Sequence, residues 1–220
     1  MTVRAVLSGA AVLVALAAPP RAQIAVGADV SVGPSVTALG SRGVVRVGGL
    51  DVPLGEVEFP TAVGVDARAR VEVHGGTFGG RVGAGYLSAS DVFDGASLFN
   101  QDGLDLRFAV ASAEVTVRQP FRTGTLVAGV GPEVRVLLNE GGAERGLTRY
   151  LGDVRQSHVA LGGSVGARFA VGGVVLGPEV RGGLALSPFS DGTLDVLGGR
   201  VQLDGSFRFD HLSASLTVGM

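Results

Sequence analysis

The chain contains no cysteine, no tryptophan and no lysine, and its only long apolar run lies at the N-terminus. Without cysteine there is neither a disulfide framework nor a thiolate metal site. That absence fits an exported protein that does without disulfides. All 18 basic residues are arginines, set against 20 acidic ones, so the formal charge of −2 leaves no basic footprint for nucleic acid. Aromatic residues are sparse at 5%. Glycine is abundant, at 37 of 220 residues, but follows no collagen period, and a hydrophobic content of 46% is too high for a disordered chain.

The first segment reads as a targeting signal. Arg4 is followed by the apolar stretch Ala5 to Ala18, then by small residues, with Ala22 before Gln23 at a plausible cleavage point. The apolar stretch is shorter than the roughly 20 residues that a spanning helix needs. Residues 1–22 are therefore expected to be a cleaved signal peptide and residues 23–220 the mature domain. No later run reads as a spanning helix, so a mature chain within a membrane must cross it as strands.

What is present is alternation. Val63, Val65, Ala67, Ala69, Val71 and Val73 alternate with Gly64, Asp66, Arg68, Arg70, Glu72 and His74. Successive side chains of a strand point to opposite faces, so one face is apolar and the other carries both signs of charge. The same pattern recurs in runs at 24–36, 78–90, 109–118, 125–138, 159–171, 174–186, 201–209 and 212–220. The connections alternate too. Short ones fall at His74 to Thr77, Gln119 to Arg122, Gly172-Gly173 and Asp210-His211, and long ones near 38–61, 90–103, 139–156 and 187–194. Short turns on one side with long loops on the other is the layout of a spanning barrel. The hexapeptide Gly131 to Val136, GPEVRV, is echoed by GPEVRG at Gly177 to Gly182.

Many amphipathic strands without intervening helices imply an all-β fold, an antiparallel up-and-down transmembrane β-barrel of 8–10 strands. Ten would require a strand at Val44 to Gly49; eight would merge the runs around Phe209 and Leu212 through a bulge. The expected lumen charge network is Asp66, Arg68, Arg70, Glu72, Arg81, Glu114, Glu133, Arg135, Arg168, Glu179 and Arg181, packed among glycine and serine because a narrow barrel has little interior volume. Phe78, Phe121, Phe169 and Phe209 each lie beside a short turn and form the expected aromatic girdle.

These features together resemble the small outer-membrane β-barrel proteins of Gram-negative bacteria, the OmpA/OmpX/OmpW-like group. Members of that group usually end in an aromatic residue, whereas this sequence ends in Met220. The resemblance implies an outer-membrane location, contact with lipid and lipopolysaccharide, delivery by the barrel assembly machinery, and loops free for extracellular partners. It implies a structural or narrow-pore role without cofactor.

Two other readings are open. A soluble periplasmic barrel would turn the apolar face inward around an apolar ligand. A lipid-modifying barrel enzyme needs a Ser–His pair near the rim, and Ser157-His158 is a poor one because adjacent strand residues face opposite sides. His74, His158 and His211 lack a second ligand at metal spacing. The acids of Asp102 to Asp105 and Asn139 to Glu144 read as solvated loop residues, and no catalytic, cofactor or metal residue is expected.

Overall fold

A computed structural model describes residues 24–47, 50–58, 61–92, 104–141, 153–154, 156–188, 190–196 and 201–220. The expected signal peptide, residues 1–22, lies outside these residues.

Every regular element among the described residues is a strand. In chain order these are β1 (Ile24–Val47), β2 (Leu50–Glu58), β3 (Ala62–Gly75), β4 (Phe78–Val92), β5 (Leu104–Phe121), β6 (Gly124–Gly141), β7 (Asp153–Val154), β8 (Ser157–Val171), β9 (Val174–Ala185), β10 (Ser190–Val196) and β11 (Val201–Gly219). Strands β1, β3, β4, β5, β6, β8, β9 and β11 pair in that order, each antiparallel to the next, and β1 pairs with β11 to close an eight-stranded up-and-down barrel. Closure leaves no unpaired edge around the wall.

The short turns gather at one end. Gly172 and Gly173 both have positive φ, 58° and 88°, the conformation that a tight two-residue hairpin demands and that glycine adopts without steric cost. Gly76-Thr77 and Arg122-Thr123 make the other two turns at this end. Ile24 and Gly219 lie at the same end, where β1 starts and β11 finishes.

The opposite end departs from the sequence reading in three ways. Most of segment 38–61 is strand: β1 runs on to Val47 and turns back as β2, with Val47 opposite Leu50. Segment 187–194 likewise enters β10, which pairs with the early part of β11. Strands β2, β1, β11 and β10 thus extend beyond the barrel as a projecting sheet. Finally, Asp210-His211 is no turn. Strand β11 passes straight through it, with Leu39 opposite Phe209 and Val36 opposite Leu212 in one unshifted register. The two C-terminal runs are one strand without the expected bulge, and the ten-strand alternative falls away.

Alternation fixes the two faces. Val30, Val32, Val63, Val115, Val130, Val165, Val180, Leu212 and Leu216 lie on the outer face, each 51–63% exposed. Arginine, glutamate, aspartate, serine and threonine fill the inside. The hydrophobic face is therefore the outer one, the inverse of a soluble barrel. Between Val63 and Val73 on β3, and between Leu212 and Met220 on β11, no outward residue is charged. That length matches the roughly 9–11 residues with which a tilted strand crosses a bilayer.

The echoed Gly-Pro sequences mark breaks in the ladder. Pairing of β1 with β11 passes from Val32–Leu216 to Ser35–Ser213, skipping Gly33-Pro34. Pairing of β5 with β6 skips Gly131-Pro132, and pairing of β8 with β9 skips Gly177-Pro178. Proline has no N–H for the ladder. The glycine before it lies so close to the facing carbonyl, of Ala214, Ala113 or Ala167, that a Cβ would collide with it. A fourth break, at Gly64-Val65 between β3 and β4, is bridged by Ser88, whose hydroxyl accepts the Val65 N–H at 3.0 Å. These breaks fall on every second seam of the barrel, each seam joining strands that meet at the short-turn end.

Candidate functional site

The lumen holds an ionic lattice arranged in three tiers. Seven arginines (Arg68, Arg70, Arg81, Arg118, Arg135, Arg168 and Arg181) face six carboxylates (Asp29, Asp66, Glu72, Glu114, Glu133 and Glu179). Inward glycines make room for the guanidinium groups. Gly83 lies against the Arg70 side chain, and Gly183 against Arg135 and His211, so that a Cβ at either position would collide.

The tier farther from the short turns is built on Glu133. It accepts from Arg68 Nη1 at 3.0 Å and from Arg135 Nε at 2.7 Å. Arg68 also pairs with Asp66, which accepts a hydrogen bond from the Ser213 hydroxyl at 3.0 Å. Arg135 Nη2 stands 2.7 Å from His211 Nδ1.

The middle tier is built on Glu179 and Glu114. Glu179 pairs with Arg70 and accepts from Arg168 Nη2 at 2.8 Å, with Arg81 and Arg181 each at 3.5 Å. Glu114 accepts from Arg81 Nε at 3.1 Å and from Arg181 Nη1 at 2.5 Å. Asp29 accepts from Arg70 Nε at 2.6 Å and from Arg168 Nη2 at 3.4 Å. At the short-turn mouth, Thr116 donates to Glu72 at 3.0 Å, Arg118 Nε lies 3.7 Å from the same carboxylate, and Arg118 Nη1 approaches His74 Nδ1 at 2.8 Å.

Several of these pairs span the lumen, while others run along its wall. Arg81 on β4 meets Glu179 on β9, on the opposite side of the barrel. Arg68 on β3 meets Glu133 on β6, and Arg70 on β3 meets Glu179 on β9. Buried charges are costly to desolvate, and their attraction repays this only when partners and hydrogen bonds are nearly complete. Each carboxylate here has at least one arginine within 4 Å, and in the middle tier the shared acceptors Asp29, Glu114 and Glu179 join Arg70, Arg81, Arg168 and Arg181 into one strut.

All the charged residues expected inside lie inside, each at most 6% exposed. Sequence reasoning missed Asp29, Arg118 and His211 as members. Asp29 and Arg118 sit in the polar phase of their strands, which was the available signal. The sequence places His211 in a turn, whereas it lies buried within β11.

Above the lattice, toward the long connections, the inward face turns apolar. Leu87, Ala89, Leu106, Phe108, Ala160, Ala185 and Phe209 are all at most 7% exposed. Phe108 and Phe209 pack with their rings tilted by 51° and centroids 4.9 Å apart, and His158 meets Phe108 edge-on at 5.5 Å. Phe209 is therefore no girdle residue. Counting inward positions from Ser213 and His211 places it in the lumen, at 1% exposure. Phe78 and Phe121 do face outward beside the short turns, and half-buried Phe169 meets Phe121 edge-on at 5.9 Å. His158 points inward while Ser157 is exposed, so the two do not form a relay. Among the described residues no group of three or more potential metal ligands converges. Asp102 and residues 139–144 lie outside the described residues or side chains.

No family model matches the chain, and no curated relative does either. Among solved structures the barrel is similar to the outer membrane protein OprG from Pseudomonas aeruginosa, at 11% identity and a TM-score of 0.49 over 87% of this chain and 95% of that one. It is also similar to Neisserial surface protein A, at 15% identity and a TM-score of 0.42 over 86% and 97%. The attachment invasion locus protein Ail of Yersinia pestis is similar at 11% identity and a TM-score of 0.38 over 88% and 98%.

Proposed function

We propose that this chain is an outer-membrane β-barrel protein of structural or narrow-pore type, inserted with its valine and leucine face against lipid. The observation that carries the reading is the inverted distribution of polarity: apolar side chains outside, a cross-braced ionic lattice inside. In lipid, backbone polar groups must be satisfied internally, which a closed barrel does. Residues 1–22 act as the export signal. Lipid and lipopolysaccharide surround the wall, the barrel assembly machinery inserts it, and the projecting sheet with the long connections faces the extracellular side.

The mechanism is passive. The lattice props the wall from within and the apolar layer of Phe108 and Phe209 closes the lumen above it, so ion flow is small. The soluble alternative, an apolar ligand within the barrel, is disfavoured because charge fills most of the inner face. Among the described residues, Ser157 and His158 do not supply the pair that a lipid-modifying activity needs.

The test is fractionation followed by bilayer recording. The protein is expected in the outer-membrane fraction, with a mature N-terminus near residue 23 and heat-modifiable gel migration. Planar bilayers should show little or no steady conductance. Recovery as a soluble periplasmic monomer would overturn the reading.

A further inference from the structure

We propose that Arg168 and Arg118 hold a small inorganic anion, of the size of a halide or phosphate, in a cavity at the short-turn mouth of the barrel. The cavity has a volume of about 50 Å³ and is lined by both arginines together with Asp29, Glu72, His74 and Thr217. That is room for a few waters or one such anion.

Hydrogen bonding points to an anion. Asp29 and Glu179 are each shared between Arg70 and Arg168, and Glu72 has only a 3.7 Å approach from Arg118. The Arg168 side chain is 5% exposed, yet its Nη1 has no acceptor, and neither has Arg118 Nε. A buried cationic N–H without a partner is costly. An anion between the two guanidinium groups supplies the missing acceptor for both, through charge-assisted hydrogen bonds.

The experiment uses the folded full-length barrel in a non-ionic detergent. Its melting temperature is measured in sodium phosphate and in sodium bromide against sodium gluconate, an anion too large for the cavity, at matched ionic strength. The expected result is a rise of about 2–4 °C, saturating below about 100 mM, as ligand linkage produces. Arg168→Gln should abolish the rise. General salt effects on the protein surface act equally on both proteins and cancel in the comparison. Should Arg168→Gln not fold, Arg118→Gln at the more open rim should reduce the rise instead. Crystals grown with bromide should show an anomalous peak between the two arginines. A rise that persists in the variants, one that needs molar salt, or no peak would overturn the proposal and leave the cavity to water.

Discussion

Arg135 and Phe209 join the ionic and apolar halves of the lumen. The Arg135 guanidinium donates to the Phe209 carbonyl, and its central carbon lies 5.8 Å from the centroid of the same residue's ring. Arg135 also bonds Glu133, so the aromatic layer rests directly on the lattice. Phe209→Ala should cost about 3–5 kcal/mol, the usual loss for truncating a buried aromatic. Urea unfolding in detergent measures it. Conductance should stay low in this variant, because the arginine–glutamate struts beneath are untouched.

Glu179 is the lattice's most shared acceptor. Glu179→Gln removes the charge that Arg70, Arg81, Arg168 and Arg181 all approach, and leaves buried cations unpaired. Breaking one side of a buried pair costs about 3–5 kcal/mol. The loss should exceed that for Glu72→Gln, whose one arginine neighbour is 3.7 Å away and partly exposed. Unfolding curves of the two variants side by side decide the ranking, and equal losses would mean that the lattice does not act as a unit. In bilayers, Glu179→Gln should raise conductance above that of Phe209→Ala, since it cuts the struts that cross the lumen.

The barrel itself was legible in the sequence, because a strand with water or charge on one face and apolar surroundings on the other must alternate. Where that asymmetry ends, so does the signal. Strands β2 and β10 lie beyond the barrel wall, and LDVPLGEVE carries no strict two-residue period, so the segment read as loop. Phe209 misled for a related reason. Hydrophobic residues were assigned outward, but near the long-connection end the inner face is itself apolar. The alternation inverts between Phe209 and Leu212 while the strand and its register run on. The GPEVR echo was visible as a repeat. Its meaning, a glycine tucked under a carbonyl beside a proline that skips the ladder, needed the pairing of strands.

That pairing makes the glycines unequal. Gly177→Ala would place a Cβ on the Ala167 carbonyl, a backbone atom that cannot swing aside. Gly163 lies outside such a break, and the nearest atom to its would-be Cβ is the Gly129 oxygen at 3.7 Å, an ordinary contact. Refolding yield into detergent, read by heat-modifiable migration, should fall sharply for Gly177→Ala and stay near wild type for Gly163→Ala. Comparable yields would mean that the β8–β9 seam can relax and that the break is not structurally required.

The orientation of the wall is open to a direct chemical probe. Val165 sits midway along β8, 60% exposed on the outer face, paired with Ala128 and Val180 on either side. Arginine at the bilayer midplane of a barrel costs about 2–4 kcal/mol, and near the interfaces about 0–1 kcal/mol. Val165→Arg should therefore destabilise the protein refolded in phospholipid vesicles by the larger amount, and Val171→Arg, beside the Gly172-Gly173 turn, by the smaller. A water-facing wall would tolerate both, since an exposed arginine on a solvated sheet is close to neutral. The difference between the two positions, measured by denaturant titration in vesicles, separates depth in a membrane from any general intolerance of arginine on β8. A flat response across the two positions would remove lipid from the outer face and with it the basis for placing this barrel in a membrane.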